Sequence, residues 1–226
     1  KILYKSNFPK NIEITNSLTS ALNMATAIMI CVPAQQVYDF FKDNKLLIPS
    51  VPIILCSKGI DEQNLLLQSQ IVKQFLPKNE IAILTGPSFA SEVAIGLPTA
   101  LTLAASNDFI RDYLQKLLST LSLRLYSSND IVGAQLGGSL KNVIAIGCGM
   151  VKGANLGESA RTALMTRGLS EIINFGIAMG GSLNTFYGLS GLGDLALTCS
   201  STKSRNFLLG FNFSKNIITK PSDTVE

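Results

Sequence analysis

Apolar and polar positions change rhythm once along the chain. Up to about Ser128, short uninterrupted apolar runs alternate with segments of helical period. Residues 26–32 (Thr-Ala-Ile-Met-Ile-Cys-Val) form such a run and stop at Pro33, the pattern of a strand buried on both faces. Runs at 51–56 and 81–84 repeat it, 99–104 and 123–126 are further strand candidates, and 11–15 reads as a further short strand. Between them, 17–25 (with Ser17 as N-cap), 34–42, 62–75 (closed by Pro77) and 108–118 carry a helical period. Strands alternating with helices predict right-handed crossovers and a doubly wound parallel sheet. Beyond Asn129 no strand pattern remains. Long helices are expected over 130–152 and 158–179, joined at 155–157, with shorter ones from Leu183 onward. The expected architecture is α/β, with a sheet domain in residues 1–128 and an all-α domain in residues 129–226.

The helix over 135–149 places a lysine and an asparagine, Lys141 and Asn142, inside a run of apolar and small residues. At 3.6 residues per turn Lys141 shares a face with Ala134, Gly137, Gly138, Ala145 and Cys148, none of them large. That face admits close approach of another segment, with the ammonium in the gap. A lysine so placed is expensive to bury unless paired, and desolvation lowers its proton affinity. The alternative is a lysine that snorkels to the surface.

Composition narrows the chemistry. A 46% hydrophobic and 15% charged chain of 226 residues can build a sizeable core. No uninterrupted apolar run approaches the roughly 18–20 residues of a spanning helix, and no signal peptide pattern opens the chain. The four cysteines (Cys31, Cys56, Cys148, Cys199) lack C-x-x-C spacing, which suggests buried free thiols in a reducing, cytoplasmic compartment. The +4 charge shows no basic stripe for nucleic acid and suits a small anionic ligand. The chain has no histidine, so His-based triads, His general bases and His metal sites are excluded, and no metal site is expected. A proton shuttle must use Lys, Asp, Glu, Tyr or Cys.

Two polar turns fall at predicted strand ends, where open parallel sheets bind ligands: Ser57-Lys58-Gly59 and Thr85-Gly86-Pro87-Ser88-Phe89-Ala90. The second feeds a helix, whose N–H groups can meet an anion; both also read as ordinary turn chemistry. In the helical half, Gly188-Leu-Ser-Gly-Leu-Gly-Asp194 is a glycine-rich lead into a helix, with Asp194 either an N-cap or a site residue. Ser204, Arg205 and Asn206 follow in a donor-rich stretch, Arg205 offering a planar fork that suits phosphate. Arg167 and Glu171, at i,i+4, read as a structural pair.

Taken jointly, the segments Ile30-Cys-Val-Pro33, Ser57-Lys-Gly-Ile60, Thr85-Gly-Pro-Ser-Phe-Ala-Ser-Glu-Val-Ala94, Leu140-Lys-Asn-Val-Ile-Ala-Ile146, Ala160-Arg-Thr-Ala-Leu-Met-Thr-Arg-Gly168, Gly188-Leu-Ser-Gly-Leu-Gly-Asp194 and Ser204-Arg-Asn206 resemble the bacterial NAD(P)-dependent glycerol-3-phosphate dehydrogenase family. The resemblance implies a Rossmann domain followed by a helical substrate domain. It implies an activity that interconverts dihydroxyacetone phosphate and sn-glycerol 3-phosphate with NAD or NADP, feeding phospholipid synthesis. Lys141 would be the catalytic lysine, with Lys58, Asn142 and Asp194 around it. Gly86 and Ser88 would meet substrate, and Ser204, Arg205 and Asn206 its phosphate. Lys58, Ala90, Arg205 and Glu226 (in Thr224-Val-Glu226) would meet the cofactor. Two features depart from the family: no Gly-x-Gly-x-x-Gly precedes residue 11, and the chain stops inside the last matching element. The expectation is therefore a central fragment with an incomplete sheet, inactive by itself. Rival readings are a ketopantoate-type two-domain reductase and a catalytically dead remnant. The partner expected is a small phosphorylated substrate, with a homodimer permitted and NAD versus NADP open.

Overall fold

The computed structural model describes residues 9–217. The first half holds α1 (Leu18–Leu22), β1 (Ile28–Ile30), a 3₁₀ turn (Ala34–Gln36), α2 (Val37–Asn44), β2 (Ile53–Leu55), α3 (Gln68–Phe75), β3 (Ile81–Thr85), α4 (Ala90–Ala94), β4 (Thr99–Ala105), α5 (Asp108–Leu118) and β5 (Leu123–Ser128). The strands form one five-stranded sheet in sequence order. Its two faces follow from strand alternation. Ile53, Leu55, Ile81 and Ile83 pack against Val37 and Phe41 of α2 and Ile71 and Val72 of α3. Ile54, Ala82, Leu101 and Leu103 face the other way, toward Leu114 of α5. Helices therefore cover both faces, which is why these strands read as continuous apolar runs.

Three expectations need correction. The sheet is parallel within β1–β2–β3 and within β4–β5, but β3 and β4 run antiparallel, with Thr85 opposite Thr102. The connection explains it. A parallel return must carry the chain back along the sheet, and α4 has only five residues, about 7–8 Å at 1.5 Å per residue. The chain instead lingers at the carboxyl end of β3 and re-enters from there. Residues 11–15 form no strand. The helix expected from Glu62 starts at Gln68, because the Asp61 carboxylate captures the Asn64 backbone N–H at 2.7 Å and its side-chain amide at 2.8 Å. That turn puts Leu65 at φ +56° and leaves an Ile60–Leu67 bridge where the helix would have begun.

After β5 the structure is helical: α6 (Ile131–Gly153), α7 (Glu158–Ala178), α8 (Leu183–Tyr187), a π turn (Leu189–Gly193), α9 (Asp194–Ser200) and α10 (Arg205–Ser214). Asp130 caps α6, one oxygen accepting from Gly133 N at 2.7 Å and the other from Ser182 N at 2.7 Å. The apolar character of α6 goes into packing, since α7, α9 and α10 all lie against it. Leu136, Ala145 and Cys148 of α6 share one core with Ile172, Phe186, Leu195, Cys199 and Phe207. The α10 crossing is so close that a Cβ on Gly210 would overlap the Ile146 carbonyl oxygen. At its other end α6 reaches the sheet: Ala134 joins the β1–β3 core, and Gln135 exchanges hydrogen bonds with Ser69 N (3.0 Å) and Ser69 Oγ (2.9 Å).

All four cysteines are free. Cys148 and Cys199 are buried as expected and Cys56 is partly so, but Cys31 is exposed at the end of β1, the strand at the edge of the sheet.

Candidate active site

The small face of α6 is buried along its length, Ala134, Gly137, Gly138, Lys141, Ala145 and Cys148 together. It brings the backbone of the π turn and the side chains of Thr85 and Lys58 onto the helix. A Cβ on Gly137 would lie 2.5 Å from the Ser190 carbonyl oxygen of the π turn. One on Gly138 would lie 2.9 Å from Thr85 Oγ1 and 3.4 Å from Cδ of Lys58. The gap that results holds Lys141, only 7% exposed.

Its ammonium is paired rather than snorkelling. Lys141 Nζ donates to Asp194 Oδ1 at 2.5 Å and to Thr198 Oγ1 at 2.7 Å, and Thr198 in turn donates to the Asp194 carbonyl at 2.7 Å. The second Asp194 oxygen takes Lys58 Nζ at 2.5 Å; Lys58 also reaches the Gly86 carbonyl at 3.4 Å. Asp194 is therefore not an N-cap. It is the first residue of α9, with Gly193 in the cap position, and its carboxylate bridges two lysines from opposite halves of the chain. The π turn makes this placement, closing Gly193 N onto the Gly188 carbonyl at 3.1 Å immediately before α9.

Two positive charges share one negative charge, and Lys141 responds. Burial first, then the charge of Lys58, push its pKa down to about 8, against the pull of Asp194. Desolvation and like charge together outweigh the single carboxylate.

Of the other expected residues, Gly86 touches this cluster directly, holding Lys58 through its carbonyl. Ser88 is half-buried on the same turn, and Ala90 is exposed at the start of α4. Asn142 follows Lys141 on α6, half-buried. Ser204 caps α10, its buried Oγ accepting from Phe207 N at 3.2 Å, so it is engaged in the helix start. Arg205 is exposed on the first turn of α10. Asn206 is buried, and its Oδ1 has no partner. Glu226 lies outside the described residues. Arg167 and Glu171 form the exposed i,i+4 pair read from spacing. Among the described residues no group of three His, Cys, Asp or Glu side chains could hold a metal.

Three features escaped the sequence. Thr198 lies one helical turn after Asp194, and that i,i+4 spacing on a glycine-led helix was the available signal. Thr85 Oγ1 is buried without a partner beside Gly138 and Lys58. Lys203 pairs with Glu92 at 2.7 Å and stacks 5.7 Å over the Phe89 ring, tying the approach to α10 to the Gly-Pro-Ser-Phe turn. Nothing in the sequence signals that last contact.

Comparison with known proteins gives a consistent result. Residues 1–110 match the family model for the NAD-dependent glycerol-3-phosphate dehydrogenase N-terminus, and residues 130–225 the model for its C-terminus. A glycerol-3-phosphate dehydrogenase [NAD(P)+] of Zymomonas mobilis is 48% identical over 204 residues, covering 89% of this chain and 58% of that protein. One of Roseobacter denitrificans is 44% identical over 218 residues, covering 96% of this chain and 68% of the relative. The chain thus spans about three fifths to two thirds of the length of these curated relatives. The crystal structure of glycerol-3-phosphate dehydrogenase from Coxiella burnetii superposes with a TM-score of 0.91 at 36% identity, over 94% of this chain and 66% of that one. The Saccharomyces cerevisiae enzyme follows at 0.83 and 26% identity, over 94% and 64%. Both halves of the chain and the order of its motifs place it in the NAD-dependent glycerol-3-phosphate dehydrogenase family.

Proposed function

We propose that this chain carries the proton-transfer and phosphate-binding parts of an NAD(P)-dependent oxidoreductase that interconverts dihydroxyacetone phosphate and sn-glycerol 3-phosphate for glycerophospholipid synthesis in the cytoplasm. On this reading residues 1–128 form the dinucleotide side and residues 129–226 the substrate side. The observation that carries it is the buried Lys141, held on Asp194 and Thr198 with a pKa of about 8. A lysine near neutrality can give a proton at the carbonyl oxygen in reduction and take one from the hydroxyl in oxidation. Asp194 and Thr198 fix the direction of its N–H bonds. Lys58 keeps a second positive charge beside the oxygen that becomes an alkoxide. Ser204, Arg205 and Asn206, at the N-terminus of α10, are assigned to the phosphate, with Gly86, Ser88 and Asn142 lining the approach.

The carboxyl ends of β1–β3 suit the nicotinamide end of a dinucleotide. Thr85 leaves a buried hydroxyl oxygen without a partner there, beside the aliphatic stem of Lys58, whose ammonium reaches the Gly86 carbonyl. Lys58, Ala90 and Arg205 are the described residues assigned to hold it, with Glu226 added from outside them. A bound nicotinamide dinucleotide supplies the hydride, and this chain's residues supply orientation, the proton and the charge.

Lys141→Ala in the full-length protein tests the assignment. It should lower kcat about 10²–10⁴-fold while leaving the dinucleotide Kd within a small factor. Unchanged turnover would refute it. A carboxylate-bearing 2-oxoacid, offered in place of dihydroxyacetone phosphate, should be reduced poorly; preference for it would favour a ketopantoate-type reductase.

A further inference from the structure

We propose that Cys31 and Cys56 are a thiol-modification site: exchange with a low-molecular-weight disulfide joins them in a reversible bridge, and the bridge silences the adjoining lysine cluster. The inhibitory half rests on the function proposed above; the bridge does not.

The strands set the geometry. Ile30 is paired with Leu55 in the parallel β1–β2 ladder, and Cys56 N continues that ladder onto the Ile30 carbonyl at 3.0 Å. Cys31 and Cys56 are the next residues of each strand, so they lie side by side and point to the same face. Neighbouring strands lie about 4.7–4.9 Å apart, inside the about 4.4–6.8 Å between Cα atoms that a disulfide accepts. The two thiols are close enough that each shifts the pKa of the other. Cys148 and Cys199 influence one another in the same way, but both are wholly buried in the helical core. Only the first pair combines proximity with access, through the exposed Cys31.

Reactivity favours the same residue. The hydrogen bond from Cys56 lowers the Cys31 pKa to about 7, so much of it is thiolate at neutral pH, while Cys56 is pushed up and stays a thiol. The Cys31 thiolate attacks one sulfur of the disulfide RSSR, breaking its S–S bond. One RS⁻ leaves and takes a proton, and Cys31 carries the mixed disulfide. Cys56 then gives its proton to solvent and attacks the Cys31 sulfur, expelling the second thiolate. Two protein thiols are oxidised by two electrons, and RSSR becomes two RSH.

The site lies next to the chemistry. Cys56 precedes Ser57, whose hydroxyl donates to the Val32 carbonyl at 2.6 Å, and Lys58, which reaches Asp194. A bridge between the strand ends replaces two relaxed side chains with a fixed link and re-aims the Ser57-Lys58 turn.

Incubation of this chain with glutathione disulfide, followed by intact-mass measurement and peptide mapping, tests the bridge. The expected product has lost two hydrogens, maps to Cys31–Cys56 and is reversed by dithiothreitol. Cys56→Ser should stop at a glutathione adduct on Cys31, and Cys31→Ser should leave Cys56 unmodified. A double Cys148→Ser, Cys199→Ser variant should still form the bridge. Cys31 and Cys56 remaining reduced, or a bridge found only at Cys148–Cys199, would overturn the proposal. In the full-length protein, bridging should lower kcat at least about tenfold, with recovery on reduction and no response in Cys56→Ser. A bridged protein with full activity would overturn the inhibitory half.

Discussion

The packing around β2 and the junction between α6 and α9 are closed to solvent alike: Ile53 is 0% exposed, Leu55 1% and Asp194 1%. What fills them differs. Around β2 the neighbours are aliphatic or aromatic, Val37, Phe41, Ile71 and Val72 among them, and each such side chain contributes about 1.5–3 kcal/mol on burial. At the junction two ammonium groups converge on one carboxylate, and one of them also donates to a hydroxyl. Removing such ions from water costs several kcal/mol each, which their attraction and hydrogen bonds only offset. One interior holds the fold together; the other is tolerated because the first is strong, and it holds a lysine whose proton can be moved. Sites with chemistry are where local rules for a stable core are broken.

The sharpest way to break the comparison is to disable each interior. Phe41→Ala should cost about 3–5 kcal/mol through a cavity. Asp194→Asn should cost a similar amount, about 3–5 kcal/mol, by leaving the buried Lys141 and the half-buried Lys58 without a counter-charge. Urea denaturation across pH separates the causes. The Asp194→Asn deficit should shrink as pH rises through about 8, where Lys141 discharges, and the Phe41→Ala deficit should not move. The wild type carries the same signature with a known sign. The folded pKa of Lys141 lies below its ordinary value, so the unfolded chain binds more protons between the two. Stability should therefore rise with pH from about 8 toward about 10.4. Equal, pH-independent deficits in both variants would mean that the junction is held by packing alone.

Thr198→Val keeps the volume and removes the hydroxyl from Lys141. Loss of a hydrogen bond to a charged group is worth about 1.5–3 kcal/mol, so kcat should fall about 10–100-fold, with KM little changed. A change confined to KM would place Thr198 in substrate binding instead of lysine positioning.

How far each interior was legible follows from its physics. Strands β2 and β3 read directly because burial on both faces leaves their runs apolar, and α5 was read to its ends because Asn107 caps it, accepting from Phe109 N and Ile110 N. The Lys141 face was also legible, since a lysine among glycines and alanines has few structural explanations. The direction of β4 does not follow from strand–helix alternation; it turns on α4, which is too short to return along the sheet. The late start of α3 turns on one side chain, Asp61, which outcompeted a good apolar period. That the Asp194 carboxylate would bridge both lysines depends on the π turn before it, and neither period nor composition encodes that geometry.

The smallest effect should come from the rim. Lys203 and Glu92 are a surface pair, so Lys203→Ala should change stability by less than about 1 kcal/mol. It does join the loop before α10 to the turn that carries Gly86 and Ser88, so KM for the phosphorylated substrate should rise a few-fold, about 2–5-fold. A variant as active as wild type but clearly destabilised would reverse the role assigned to this contact.

The most direct measurement is the titration of Lys141 itself, by NMR of this chain with labelled lysine side chains and Lys141→Met to assign the signal. No substrate or cofactor is needed. Burial beside Lys58 predicts a midpoint near 8, and with it a reduction rate that falls, and an oxidation rate that rises, as pH passes through that value. A Lys141 midpoint at the ordinary lysine value of about 10.4 would contradict the account, because an ammonium so firmly protonated is a structural counter-ion to Asp194 and not a proton donor poised near neutrality.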